Sequence, residues 1–245
     1  KVMKILVSND DGYLAPGLNI LVDNLKKIAS VVVVAPDKNK SGSSSSLSLN
    51  KGITVNKINP MLYSVGGTPT DCVHIALTGL ISFKPDMVIS GINDGANMGD
   101  DTIYSGTVGA AMEGFLLGIP SIAVSMGSSE PKHFETGAKV ILNLIEKHNK
   151  QPHENVTLLN INVPDVPYSE IKGLEITRLG KRHEAQPAIK RAGKDGKDLY
   201  WVGAVGEPKN GGPGTDFFAV MNNYVSITPI QSDLTNYKKI DSIKK

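Results

Sequence analysis

The chain of 245 residues holds a single cysteine, Cys72, which excludes a disulfide framework and any cysteine-based zinc cluster and fits a reducing compartment. Aromatic residues are scarce, at 5%, so platforms for stacking single-stranded nucleic acid are not expected. An excess of one charge is lacking too. The formal net charge of +2, with lysines scattered along the chain, is too small for binding a nucleic-acid polymer. Lys238, Lys239, Lys244 and Lys245 read as a solvated basic tail. No apolar run approaches the ~18 residues of a membrane span, and residues 2–7 are too short for a signal-peptide core. A cytoplasmic protein with no membrane contact is the expectation. The phosphate loop G-x-x-x-x-G-K-[ST], the dinucleotide fingerprint G-x-G-x-x-G and the nucleophile elbow G-x-S-x-G are all missing, which weakens ATPase, dinucleotide-binding and serine-hydrolase readings.

What is present is enough apolar content, 40%, to bury the core of one large domain or of one domain with an extension. Residues 2–7 form an apolar run that stops at Ser8-Asn9-Asp10-Asp11-Gly12, the pattern of a strand covered on both faces and followed by a turn. Leu18, Leu21, Val22, Leu25 and Ile28 recur at helical spacing after Pro16 and Gly17. Residues 31–35 predict a second strand, and a polar serine-rich loop runs over 37–50. Short strands are expected at 53–56 and 62–65. A helix should open at Thr68-Pro69-Thr70-Asp71, with Thr68 as cap and Asp71 where a capping-box acid reaches back. A strand at 87–90, a helix at 107–117, a strand at 120–125, a helix at 133–147 and a strand at 156–163 complete the rhythm.

That alternation predicts an α/β fold with a Rossmann-like, doubly wound, mainly parallel sheet over residues 1–163. From 164 to 245 the pattern changes to short strand-like pieces among Gly/Pro/Lys loops, then a tail, and predicts a β-rich C-terminal extension. Cys72, among Val73, Ala76, Leu77 and Leu80, reads as core. His74 and His183 read as surface residues, since the five histidines show no ligand spacing.

In open α/β sheets ligands bind beyond the carboxyl ends of the strands, where strand order reverses. Three strand ends carry oxygen-bearing residues: Asp10 and Asp11 after the first, Asp37 to Ser41 after the second, and Asn93 after the 87–90 strand. Two carboxylates with neutral hydroxyl and amide oxygens suit a hard cation such as Mg²⁺, Mn²⁺ or Ca²⁺ and leave room for an anionic substrate. Each residue also has a plainer reading. Asp10-Asp11-Gly12 could be a solvated turn, Ser41 one serine of a flexible loop, and Asn93 a residue tolerating left-handed geometry. Tyr104-Ser105-Gly106-Thr107 precedes a helix whose free N–H groups suit a phosphate, with hydroxyls of Ser105 and Thr107 as extra donors; an ordinary helix cap is the alternative.

Six blocks in order carry a resemblance: Ile5-Leu6-Val7-Ser8-Asn9-Asp10-Asp11-Gly12, Ala35-Pro36-Asp37-Lys38-Asn39-Lys40-Ser41-Gly42, Gly67-Thr68-Pro69-Thr70-Asp71-Cys72-Val73, Ser90-Gly91-Ile92-Asn93, Gly95-Ala96-Asn97-Met98-Gly99 and Tyr104-Ser105-Gly106-Thr107-Val108. Together they closely resemble the SurE family of stationary-phase survival proteins, which are 5′-nucleotidases, some with 3′-nucleotidase and exopolyphosphatase activity. The strong match covers residues 3–126, and a weaker one ends near Ser226-Ile227-Thr228-Pro229-Ile230. The resemblance implies one divalent cation per subunit, Mg²⁺ or Mn²⁺, on Asp10, Asp11, Ser41 and Asn93. It implies phosphate contacts at Asn97, Ser105, Gly106 and Thr107, and an extension used for a homodimer or homotetramer. Asp94 and Ala96 depart from positions that vary or often carry proline in relatives, and Ser43–Ser46 is unusually serine-rich.

The resulting expectation is a metal-dependent hydrolase releasing phosphate from nucleoside monophosphates, with Asp10 or Asp11 orienting or deprotonating the attacking water. Two alternatives remain. One is a phosphatase forming an aspartyl-phosphate, although that chemistry favours acids separated by one residue. The other is a non-catalytic nucleotide- or metal-sensing module.

Overall fold

The computed structural model describes residues 2–150, 157–182, 185–193, 196–203 and 206–243. Its first strand, β1 (Met3–Ser8), leads through the Asn9–Ala15 loop to helix α1 (Pro16–Leu25) and strand β2 (Ala29–Pro36). Strands β3 (Val55–Asn59) and β4 (Leu62–Val65) form a tight antiparallel pair, and helix α2 (Pro69–Ile75) follows. Then come β5 (Met87–Asn93), α3 (Gly106–Leu116), β6 (Ser121–Met126), α4 (Phe134–Lys150) and β7 (Leu158–Val163).

Alternation within the strands explains the layers. Ile5, Val7, Val31, Val33 and Ile89 point to one face, where α1 and α4 cover them with Leu18, Leu21, Leu25, Ile141 and Ile145. Leu6, Val32, Val34 and Val88 point to the other and meet Cys72 and Val73 of α2, Ala76 just after it and Ala110 of α3. A leucine fully withdrawn from water contributes roughly 1.5–3 kcal/mol, so the α1 stripe alone fixes that helix on the sheet. Burial pushes the Cys72 thiol up, as expected of a core cysteine. The helix α2 opens with the capping box foreseen from its sequence: Asp71 N–H donates to Thr68 Oγ1 at 3.0 Å and Thr68 N–H to Asp71 Oδ2 at 2.8 Å.

After β7 come β8 (Gly173–Ile176), β9 (Lys181–Arg182), β10 (Ile189–Ala192), β11 (Asp198–Trp201), β12 (Pro208–Asn210), helix α5 (Asp216–Met221), β13 (Tyr224–Pro229) and helix α6 (Tyr237–Ile243). The nine-stranded sheet has the order β3-β4-β2-β1-β5-β6-β7-β13-β8. Pairings from β4 through β7 are parallel, while β3 and β13 run antiparallel to their neighbours β4 and β7. Strand order reverses between β1 and β5, which is where the sequence puts its acids. No helix among the described residues is long and apolar enough to cross a membrane.

Several local expectations shift. Ile28 lies beyond the end of α1 and is 37% exposed, because the helix stops at Leu25. The strand expected at 53–56 starts instead at Val55, an exposed sheet edge whose side chains carry no burial periodicity. The last core strand is described from Leu158, with Val156 outside the described residues. Helix α5 sits inside the stretch read as wholly β-rich, capped by Thr215, whose Oγ1 accepts Phe218 N–H at 3.2 Å. Strand β12 lies inside the Gly/Pro loop and pairs with β9. His74 lies at the surface as expected, its side chain 43% exposed, and gains a partner there, with Nδ1 2.7 Å from Glu113 Oε1 on α3. His183 lies outside the described residues.

Candidate active site

Both acids stand on the loop that leaves β1 at the reversal point. The loop is held by its own asparagine: Asn9 Nδ2 donates to Gly12 O at 2.9 Å and Asn9 Oδ1 accepts Gly12 N–H at 3.2 Å. Asp10 is only 4% exposed. Its Oδ1 accepts the Thr107 hydroxyl in a short hydrogen bond, so the first turn of α3 leans directly on it. Gly106 makes that approach possible, since a Cβ there would lie 2.8 Å from both Asp10 Cβ and Ser43 Oγ.

Asp11 links two further loops. Asp94 N–H donates to Asp11 Oδ2 at 3.1 Å, which brings the end of β5 and Asn93 alongside. On the other side Asn39 Nδ2 makes a long contact to Asp11 Oδ1 at 3.5 Å, and Lys40 N–H donates to Asp10 O at 2.7 Å. Ser41 is fastened to the same Asn39, its N–H and Oγ donating to Asn39 Oδ1 at 2.8 and 2.7 Å. Asp10, Asp11, Ser41 and Asn93 therefore occupy one continuous hydrogen-bonded rim above β1, β2 and β5.

Electrostatics mark the pair. Burial raises the Asp10 carboxyl above its ordinary range, opposed by the Thr107 hydroxyl and by backbone N–H groups of Asp10 and Thr107. Asp11 is pushed up to about 6 by burial first and then by the negative charge of Asp10, with Asp94 adding repulsion and its N–H opposing it. Adjacent carboxylates that burial and mutual repulsion both discourage from ionising mark this loop as a candidate functional site. The donor set fits such an ion. Asn93 Nδ2 is spent on Gly95 O at 2.7 Å, which turns Oδ1 away as a free acceptor, and Ser41 Oγ donates its hydrogen to Asn39 and keeps its lone pairs. Two carboxylates, an amide oxygen and a hydroxyl are hard ligands suited to Mg²⁺ or Mn²⁺.

The residues assigned to phosphate divide. Ser105 caps α3 by accepting Val108 N–H at 3.1 Å, which leaves its own hydrogen free to donate. Thr107 commits its hydroxyl to Asp10 and so acts as a support for the acid. Asn97 sits on the loop after β5, with its Nδ2 donating to Ser125 Oγ at 2.8 Å. The serine-rich loop is also ordered onto this site: Ser44 N–H donates to Tyr104 O at 3.1 Å, and Ser48 N–H and Oγ both donate to Asp71 at 2.8 Å.

With these elements in place, comparison with known proteins is decisive. A family model described as Survival protein SurE matches residues 5–186. The chain belongs to the SurE family. A protein named 5′-nucleotidase SurE from Methylobacillus flagellatus is 58% identical over 242 residues, covering 99% of this chain and 98% of that one. Its namesake from Nitrosomonas europaea is 55% identical over the same span and coverage. Among solved structures, a SurE protein from Aquifex aeolicus superposes with a TM-score of 0.87 at 46% identity, covering 98% of both chains.

Seen as a SurE fold, the chain shows supports that its sequence did not announce. Asp216, fully buried at the start of α5, accepts N–H groups of Gly99 at 2.7 Å, Gly180 at 2.8 Å and Phe217 at 2.9 Å. Arg182 Nε pairs with Asp101 Oδ2 at 2.5 Å. The extension thus grips the turn that follows the site loop. Asp216→Ala leaves the buried Gly99 and Gly180 donors unpaired, at roughly 1–3 kcal/mol each. We expect thermal unfolding to start about 10 °C lower, measured by calorimetry. An unchanged melting temperature contradicts that role. The available clue was an acid directly after Thr215 at a helix start, which reads equally well as a simple cap.

Proposed function

We propose that this chain is a metal-dependent 5′-nucleotidase that hydrolyses nucleoside monophosphates, with 3′-monophosphates and short polyphosphate as further substrates of the same site. The observation that carries this reading is the contact between the paired acids and the N-terminus of α3: Thr107 bonds Asp10, and Gly106 lies against it. The names of the relatives agree with its 5′-nucleotidase part.

Asp10, Asp11, Ser41 and Asn93 would hold the cation. Bound there, it would offset charge on the phosphoryl oxygens and make a water more acidic. Asp11, at the more open side of the pair, would orient an attacking water and accept its proton, while Thr107 holds Asp10 in place. Ser105, the Gly106 N–H and Asn97 supply fixed donors for the phosphoryl oxygens. No described strand end offers Asp10 a second acid one residue away, which disfavours an aspartyl-phosphate route.

Purified protein is expected to release phosphate from AMP and GMP with Mg²⁺ or Mn²⁺, as read by a phosphate assay across 5′- and 3′-mononucleotides. Binding of AMP without any release would instead make it a sensing module. Protons and cation compete for the same carboxylates. Because Asp11 is raised, its proton stabilises the metal-free fold at low pH, and that contribution is lost as pH climbs from the ordinary carboxyl range through about 6. The thermal shift produced by Mn²⁺ is therefore expected to be small at pH 5 and several-fold larger at pH 7.5. Equal shifts at the two pH values would refute this competition.

Assembly into a dimer or tetramer through the extension belongs to the same reading. The β10–β11 hairpin exposes all eight of its residues, Ile189, Tyr200 and Trp201 included. An uncovered two-stranded ribbon of this kind is marginal alone and gains from a partner surface. A cytoplasmic location goes with the lone buried cysteine.

A further inference from the structure

The loop between β5 and the turn at Gly99 carries Asn97 but belongs to no strand or helix, so its backbone polar groups need partners from elsewhere. They find them on β7. Asn162 Oδ1 accepts the Asn97 N–H at 2.9 Å, and Asn162 Nδ2 donates to the Asn97 carbonyl at 3.0 Å. One side-chain amide thus pairs with both polar groups of one residue, as a neighbouring strand would. Asn160 Nδ2 donates to the same carbonyl at 2.8 Å, and Ser125 Oγ on β6 receives the Asn97 side chain.

All four residues are buried, Asn160, Asn162 and Ser125 completely. Asparagine is depleted in strands, and an interior position between Leu159, Ile161 and Val163 would be filled more cheaply by an apolar side chain. Asn160 even leaves its Oδ1 buried without a partner. Such a cost, at one end of a clamp aimed at a single loop residue, calls for a reason beyond packing.

We infer that Asn162, backed by Asn160 and Ser125, is a positioning residue that fixes Asn97 in the geometry needed to meet the phosphoryl group. This rests on the reading in which Asn97 contacts phosphate. Asn162 touches neither substrate nor cation and acts only through the Asn97 backbone. Ser125 adds control of the side chain: a hydroxyl can accept or donate, so it holds the Asn97 amide whichever end is presented to the ligand. The clamp also reaches the extension. Ser226 of β13 sits opposite Asn162 in register, and its hydroxyl bonds Thr177 at 2.8 Å.

The test compares wild type, Asn162→Leu, Asn162→Asp and Ser125→Ala with AMP as substrate, inorganic phosphate as inhibitor and Mn²⁺ binding followed by electron paramagnetic resonance. Asn162→Leu is expected to weaken phosphate inhibition and lower kcat about tenfold each, with Mn²⁺ affinity unchanged, because the loop shifts by a fraction of an ångström. Asn162→Asp keeps the acceptor for the Asn97 N–H and should fall between. Ser125→Ala should move phosphate inhibition in the same direction, and it and Asn162→Asp decide the matter if the leucine variant does not fold. Phosphate inhibition at the wild-type level in the folded variants overturns the assignment, as does a parallel loss of Mn²⁺ affinity and melting temperature, the mark of a purely structural role. A wild type that releases no phosphate overturns the functional reading itself and this inference with it. An active wild type with indifferent variants overturns the inference alone.

Discussion

Asp10→Asn is expected to lower phosphate release from AMP by about a thousandfold, to the level left in wild-type protein stripped with EDTA. The size follows from removing one of two anionic ligands: several kcal/mol of charge stabilisation disappear, and about 1.4 kcal/mol corresponds to each factor of ten. The fold should not suffer. An asparagine keeps the Oδ1 acceptor that the Thr107 hydroxyl uses, and it removes a charge that burial disfavours. The melting temperature of the metal-free variant should therefore equal or exceed that of metal-free wild type. Excess Mn²⁺ should restore the stripped wild type and leave the variant inactive. A folded Asp10→Asn protein turning over AMP at the wild-type rate would remove Asp10 from the chemistry.

Gly106→Ala should separate activity from stability in a different way. Alanine is the better helix former by roughly 1 kcal/mol, so α3 itself loses nothing from the change. The added methyl, however, would sit 2.8 Å from Asp10 Cβ and 3.0 Å from Asp10 Oδ2. Ser43 Oγ, also at 2.8 Å, can swing aside, but Asp10 Cβ is one bond from a backbone held by Lys40 N–H and cannot. Either the acid or the helix N-terminus must move, and a displacement near 1 Å in such a site costs about a hundredfold in rate. We expect kcat/KM to fall by about that factor while the melting temperature changes by only a few degrees. Full activity would mean that the contact between α3 and Asp10 is incidental.

The sequence was most legible where one residue type answers one local need. Unbroken runs such as Ile5-Leu6-Val7 and Val31-Val32-Val33-Val34 declared strands buried on both faces, because each side of the sheet needed its own apolar cover. Thr68 and Asp71 announced a capping box, since three-residue spacing is the reach of one helical turn. The Asp10-Asp11 pair stood out because two adjacent acids close an apolar run at the carboxyl end of a strand, where α/β sheets place their ligands, although a solvated turn carries the same residues. Legibility failed where the need was remote. Helix α5 has too few residues to show periodicity, and its fold depends on Asp216 meeting Gly99 and Gly180. Asn160 and Asn162 look like flaws in an apolar strand until Asn97, more than sixty residues away, is found between them.

By itself, then, the order of residues determined the α/β alternation, a doubly wound sheet and the oxygen-bearing residues at its strand ends, because periodicity, turn chemistry and residue type are local properties of the chain; the reversal of strand order between β1 and β5 belongs to the tertiary structure. Only the tertiary structure decided which oxygen stays free, which hydroxyl is already spent and which buried amide holds the loop. Those outcomes depend on partners brought together by folding from distant positions, and no spacing along the chain encodes a distance through space.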